Sequence, residues 1–503
     1  MAGFHIEHFG CRAARADGEA IAGNLRAMSE LEPFAADVVI VNTCSVTAEA
    51  DRAARAFIRR AHRKNPAAKI VVTGCYAQRA PEELAAMAGV AAVVGNSHKA
   101  LAPEIILELM RGAGLIASAA SPVPKREGPG APASPVPKCE GPGAPSRVSD
   151  LVPVEWLLGG ARWLPDDAQR TPIWADDRFA HSFIEDVHWG DAQFAPGEQT
   201  RPNLKIQEGC GNRCTFCVIP FTRGPSKSVP YAVVMRRVEG FVAAGGKELV
   251  LSGINLGRWG RDFEGSNRET LAGLVREILE ETGLPRLRLS SIEPMDWDDA
   301  LIALMGEFGG GRLARHAHLP LQSGSDAVLR RMHRRYRPWH YAEKIAALMV
   351  AAGPDLTLGA DVMVGFPGET DGEFEETLDF IRALPFGYLH LFPFSARPGT
   401  ALHAAAKLAP AVMGERMAAL RALAAEKSEG HRRRFVGREI EAITLHTPAA
   451  LAERGSTTAL SENFLPVELE GRFAANRLLR VGVTALDAGG TLKCETARAA
   501  VAQ

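Results

Sequence analysis

The order of elements predicts an α/β chain in three units: a Rossmann-like parallel α/β domain, a central partial (β/α) barrel and a small C-terminal β-barrel. Three observations predict it. Residues 1 to about 115 alternate strand-like stretches (His5–Phe9, Asp37–Asn42, Ile70–Gly74) with amphipathic helical ones (Asp17–Met28, Ala48–Arg63), the pattern of a parallel sheet. From about Leu204 to Ala424 alternation resumes, with strands expected at Asn203–Gln207, Glu248–Ser252, Leu287–Ser290, His316–Pro320, Leu358–Val364 and Tyr388–Phe394. Residues 438–496 then break into short alternating segments such as Glu439–Leu445, Phe464–Glu470 and Leu478–Val483. The expected boundaries are 1–117, 118–200, 201–435 and 436–500.

The segment 118–200 does not fit either α/β unit. Ser121–Pro132 is repeated almost verbatim from Ser134 to Pro145, a Pro/Gly-rich duplication that cannot build a core and reads as a linker. Cys139 replaces Arg126 of the other copy and reads as a drifted repeat position. Residues 147–200 hold Trp156, Trp163, Trp174 and Trp189, too aromatic for plain disorder.

Two groups of cysteines carry the chemistry. Cys210, Cys214 and Cys217 form a C-x3-C-x2-C loop after the first strand of the central unit. One loop can present three thiolates to a cubane iron–sulfur cluster and leave the fourth iron open to a small molecule. Zinc would need a fourth ligand, and the next forty residues contain neither Cys nor His. Cys11, Cys44 and Cys75 each follow a predicted strand of the first unit. Loops after parallel strands share one sheet edge, so these thiols should converge on a second cluster; three unrelated buried cysteines is the competing reading. At the strand ends of the central unit lie Ser252-Gly253-Ile254-Asn255, Ser291-Ile292-Glu293-Pro294, Leu321-Gln322-Ser323-Gly324-Ser325 and Gly365–Thr370. Arg397 could contact a phosphate or carboxylate, or brace its own loop.

With 503 residues and a net charge of -1, the chain needs several cores and has no overall field favouring nucleic acid. Basic clusters at Arg59–Lys64, Arg330–Arg335 and His431–Arg434 could neutralise phosphates or be solvated helix faces. No basic-then-apolar leader precedes Phe4–Cys11 and no run has membrane-helix length, so a cytoplasmic protein without membrane attachment is expected. Eight cysteines in so long a chain point to metal or catalysis, not to a disulfide scaffold.

The cysteine loop, with Phe216 beside its last thiol, resembles the radical S-adenosylmethionine enzymes. Adding Cys11, Cys44, Cys75 and the C-terminal β-module, the chain resembles the methylthiotransferases, over most of its length outside roughly 118–200. Ser461–Val467 looks like the signature of a TRAM domain, the substrate-holding module of that family. Within it, Asn42–Thr47 with Ala50-Asp51-Arg52, Gln207–Cys210, Leu289–Pro294 and Arg331–Tyr336 are most similar to the tRNA N6-threonylcarbamoyladenosine methylthiotransferases; Gly211 departs from an expected asparagine. The resemblance implies two [4Fe-4S] clusters, on Cys210/Cys214/Cys217 and Cys11/Cys44/Cys75, and two uses of S-adenosylmethionine. One donates a methyl group to a sulfur at the second cluster, and the other yields the adenosyl radical that opens C2 of the adenine. Ser252, Gly253, Asn255, Gln322 and Ser323 are the expected cofactor contacts. Implied partners are tRNA bearing N6-threonylcarbamoyladenosine, a reductant such as flavodoxin or ferredoxin, and a sulfur donor. Competing targets are isopentenyladenosine in tRNA or a ribosomal-protein aspartate. An RNA-binding iron–sulfur redox sensor is the alternative of another class, with Phe464 among the aromatics that could meet RNA.

Overall fold

A computed structural model describes residues 3–25, 29–113, 171–177, 179, 183, 200–264 and 269–496. The two Pro/Gly repeats, Cys139, Trp156, Trp163 and Trp189 lie outside the described residues.

The N-terminal unit is a parallel six-stranded sheet, β1 (Gly3–His8), β2 (Ser29–Glu30), β3 (Val38–Thr43), β4 (Lys69–Gly74), β5 (Val90–Gly95) and β6 (Ile173–Trp174), in the order β2-β1-β3-β4-β5-β6. Every residue of β3 is buried, as a central strand covered on both faces requires. The registers Glu7↔Val41 and Thr43↔Gly74 bring the C-terminal ends of β1, β3 and β4 level. Gly74 sits at φ +96, where a Cβ would meet the Thr43 carbonyl oxygen at 2.3 Å, so only glycine allows this close turn into Cys75.

The central unit supplies β7 (Asn203–Glu208), β8 (Lys227–Ser228), β9 (Glu248–Gly253), β10 (Arg286–Leu289), β11 (His316–His318), β12 (Thr357–Val364) and β13 (Phe386–Pro393). Parallel pairing runs β7-β9-β10 and β11-β12-β13, and the bridges Leu287↔Leu313 and Ser291↔His318 join the two arcs into one partial barrel. The helix Arg12–Asn24 of the first unit packs on β7 and β9, and the helix Pro410–Arg433 packs on β13. A buried charge network ties the two units together: Asp17 and Lys99 meet Lys205, Glu208 and Arg223.

The C-terminal unit is a closed barrel, β14 (Glu439–Thr444), β15 (Ser456–Ser461), β16 (Pro466–Glu470), β17 (Leu478–Leu486) and β18 (Leu492–Thr496), in the order β14-β15-β16-β18-β17. It docks through Arg315–Glu462 (2.6 Å), Arg438–Asp355 (2.7 Å) and Asn463 Nδ2 donating to the Asp355 carbonyl (3.1 Å).

The α/β class, the parallel sheets, the partial barrel and the small closed barrel agree with expectation. Several details differ. The first helix begins at Arg12 rather than Asp17, with Cys11 as its cap residue in extended conformation. Strands β2, β6 and β8, two residues each, are too short to leave a periodic signal, and the Ala-Ala pair dilutes β5. Strand β6 comes from the stretch assigned to the insertion, and its Trp174 is buried in the N-terminal core. Phe464 is not a strand residue: it sits at φ +69 in the turn before β16.

Candidate active site

Cys210, Cys214 and Cys217 occupy the loop leaving β7. Gly209 turns it at φ +69, and a Cβ there would lie 1.9 Å from the Pro225 carbonyl oxygen. The loop is held by Cys210 N donating to Gly224 O (3.1 Å) and Thr215 N to Met332 O (3.3 Å). Donors converge on its sulfurs: Asn212 N (3.5 Å) and Asn255 Nδ2 (3.7 Å) reach Cys210 Sγ, and Arg334 Nη1 reaches Cys214 Sγ (3.4 Å). Burial pushes the Cys217 thiol up to about 12, so its thiolate needs a positive partner. Three sulfurs on one loop, two of them with donors aimed at them and with no fourth cysteine beside them among the described residues, are a donor set that fits an open-cornered iron–sulfur cluster. Beside the loop is a cleft of about 230 Å³ lined by Asn212, Cys214, Arg258, Glu293 and Arg334 among others.

The expected cofactor residues are distributed along the strand ends. Ser252 Oγ, Asn255 Oδ1 and Gln322 Oε1 are buried polar atoms with no protein partner, as atoms awaiting a polar ligand would be. Gln322 is held at φ +65. Gly253 lies so close to Gln207 that a Cβ would be 2.9 Å from the Gln207 Cβ. Ser323 turns its hydroxyl to Thr377 Oγ1 (3.0 Å) and Ser325 N (3.2 Å), which fixes the loop presenting Gln322.

Cys11, Cys44 and Cys75 stand at the level ends of β1, β3 and β4. A Cβ on Gly10 would be 3.5 Å from the Cys44 Cβ, which measures how closely two of these loops approach. Burial, then the nearby Cys75 and Cys11 sulfurs, push Cys44 up to about 12. Cys75 Sγ accepts from Arg223 Nε (3.2 Å) and Asn96 Nδ2 (3.4 Å). Arg223 ends the short helix that follows Cys217, so one side chain spans from the first cysteine loop to the second group.

Sequence reasoning missed Arg223, Asn96 and Arg334, whose value depends on what they touch. It also missed the barrel-wall residues His318, Asp361 and His390: the His318 and His390 nitrogens lie 3.4 and 3.2 Å from Asp361 Oδ1 and hold that carboxyl well below its ordinary range against burial. Arg397 is buried, pairs with Asp51 and donates to Ser45 Oγ (2.8 Å), bracing the barrel against the Cys44 loop. Two of the basic clusters are largely spent internally: Arg331 pairs with Glu373 (2.7 Å), Arg334 with Glu293, and His431 bonds Thr357 Oγ1 (2.8 Å), whereas Arg59, Arg60, Arg63 and Lys64 are exposed. Phe464 faces the barrel, its ring 4.5 Å from that of His316.

Comparison with known proteins fits this geometry. Residues 204–381 match the Radical SAM superfamily, and residues 3–95 match Uncharacterized protein family UPF0004. A solved structure of the radical S-adenosylmethionine methyltransferase TsrM from Kitasatospora setae shares the fold, with TM-score 0.51 and 15% identity over 80% of this chain and 77% of that one. The fold and the family match therefore define a radical S-adenosylmethionine enzyme, one that takes S-adenosylmethionine and an iron–sulfur cluster. Threonylcarbamoyladenosine tRNA methylthiotransferase MtaB of Aquifex aeolicus is 32% identical over 480 residues, 95% of this chain and 98% of its own length. The Bacillus subtilis protein of that name is 32% identical over 438 residues, covering 87% and 82%. A tRNA-2-methylthio-N(6)-dimethylallyladenosine synthase of Cereibacter sphaeroides is likewise 32% identical over 488 residues, covering 95% of each chain. The chain belongs to the radical S-adenosylmethionine methylthiotransferase family. Among the described residues no helix is long and apolar enough to cross a membrane.

Proposed function

We propose that the protein methylthiolates C2 of N6-threonylcarbamoyladenosine next to the anticodon of tRNA, using two [4Fe-4S] clusters, one on Cys210/Cys214/Cys217 and one on Cys11/Cys44/Cys75. The observation that carries this reading is the bridge between the two groups: Arg223 follows the first loop and donates to Cys75 at 3.2 Å. An aromatic C–H cannot be removed by any acid or base of the chain, so a radical generator and a sulfur source must face one substrate. The cluster on the first loop, when bound, supplies the electron that cleaves S-adenosylmethionine.

The chain's own part is placement. Ser252, Gly253, Asn255 and Gln322 contribute polar atoms and close backbone to the cofactor, with Ser323 fixing the Gln322 loop. Asn255 and Arg334 orient and tune the sulfurs of Cys210 and Cys214. Electrons come from a small reductant such as flavodoxin or ferredoxin, and sulfur from an external donor. The substrate choice is supported by the threonylcarbamoyladenosine enzymes among the relatives and by the short motifs at Asn42–Thr47 and Arg331–Tyr336. Equal identity to a dimethylallyladenosine synthase keeps isopentenyladenosine as the second reading.

The test is nucleoside mass spectrometry of tRNA from a strain lacking both host methylthiotransferases and expressing this chain. Appearance of 2-methylthio-N6-threonylcarbamoyladenosine supports the proposal; appearance of only the isopentenyl product overturns it. Formation of 5'-deoxyadenosine by reduced protein excludes the redox-sensor alternative.

A further inference from the structure

Arg12, the residue after Cys11, points from the N-terminal unit into the side of the barrel. Its guanidinium lies 5.3 Å from the centre of the Phe464 ring, and among the described residues no group forms an ion pair or hydrogen bond with it. Phe464 is held at φ +69, a conformation that costs an L-residue energy and is kept only where its surroundings enforce it. Arg288 lies 5.4 Å and Arg201 6.0 Å from the same ring. Both lean on one carboxylate, Glu248, which also meets Arg286. Arg288 Nη1 is buried without a partner.

Among the described residues positive charge is in excess here. Four guanidiniums (Arg12, Arg201, Arg286, Arg288) are opposed by Glu248, by Glu441 on Arg286, and by Asp361 on the opposite wall. His316 does not add to the sum: burial, then Arg288 and Arg12, hold it well below its ordinary range, so it is neutral. A half-buried guanidinium held against an aromatic ring, with its donors left over, is a receptor for a planar anion: the ring steadies the cation and the donors take the carboxylate.

Resting on the substrate reading above, we propose that Arg12, steadied against the Phe464 ring, binds with the free Nη1 of Arg288 the threonine carboxylate of N6-threonylcarbamoyladenosine and so selects this nucleoside over uncharged ones. Two units of the fold build this pocket onto the barrel wall, Arg12 from beside the second cysteine group and Phe464 from the closed barrel. An isopentenyl group has no charge to offer, and occupying the site with it leaves a half-buried cation without a counter-charge.

The test uses reconstituted enzyme and two RNA hairpins that differ only in carrying the threonine acid or its carboxamide. The wild type should prefer the acid by about 100-fold in kcat/KM, the scale of a charged hydrogen-bonded contact. Arg12→Gln should bring that ratio close to one by loss on the acid alone, and Arg12→Lys should restore roughly a tenth of it. Each ratio is internal to one preparation, so partly misfolded or cluster-poor protein does not mimic the result. An unchanged ratio in Arg12→Gln, or a wild type that turns over both hairpins equally, overturns the carboxylate pocket alone. A wild type that ignores both and modifies an isopentenyladenosine hairpin overturns the substrate reading and this inference with it.

Discussion

Cys210, Cys214 and Cys217 belong to one loop, turned by Gly209 and pinned within the central unit by Cys210 N to Gly224 O and Thr215 N to Met332 O. Cys11, Cys44 and Cys75 come from three loops that meet only because β1, β3 and β4 are parallel and in register. The first group therefore needs only the central unit in place, while the second exists only once the whole N-terminal sheet has folded. Their surroundings differ as well. Asn212, Asn255 and Arg334 serve the first group from the barrel, whereas Arg223 reaches the second from the other unit. The second group is thus the one sensitive to how the two units sit together.

The largest expected effect separates what each group does. Cys214→Ala should abolish both 5'-deoxyadenosine formation and methylthiolation, by on the order of 10⁴-fold, as for one member of a set that acts as a unit. Cys44→Ala should remove methylthiolation to a similar extent while reduced protein still cleaves S-adenosylmethionine. If both activities vanish together in Cys44→Ala, the division of labour is wrong.

Arg223→Met tests the link between the groups. It strips a cation from a buried network in which Asp17 and Glu208 remain, so stability should fall by roughly 3–5 kcal/mol. Anaerobic iron analysis should show preferential loss from the N-terminal group, about half of the total. Even loss from both groups would mean that Arg223 only holds the units together.

The smallest effect is an acid response far from both groups. His431 is buried, bonded to Thr357, and burial lowers it from 6.5 to about 4. The folded state thus favours the neutral ring. The stability this contributes is present above pH 6.5 and is lost as pH falls from 6.5 toward 4. The loss should be about 3 kcal/mol, read as a drop in Tm that His431→Gln abolishes. Iron content of the two groups should not separate in this range.

The linear sequence by itself determined the strand and helix alternation, the contiguous cysteine loop and the placement of Cys11, Cys44 and Cys75 after strands. All of these are encoded by short-range spacing and hydrophobic period. Asn255 and Gln322 were legible for the same reason, as polar residues at strand ends. Only the tertiary structure decided that Arg397 braces Asp51, that Phe464 turns into the barrel, and that Trp174 completes the N-terminal sheet. It also decided that Arg223 and Arg12 stand between the units. A guanidinium carries no sequence mark of its role, because what it does is set by which charges and sulfurs lie within a few ångströms, and those come from residues distant along the chain.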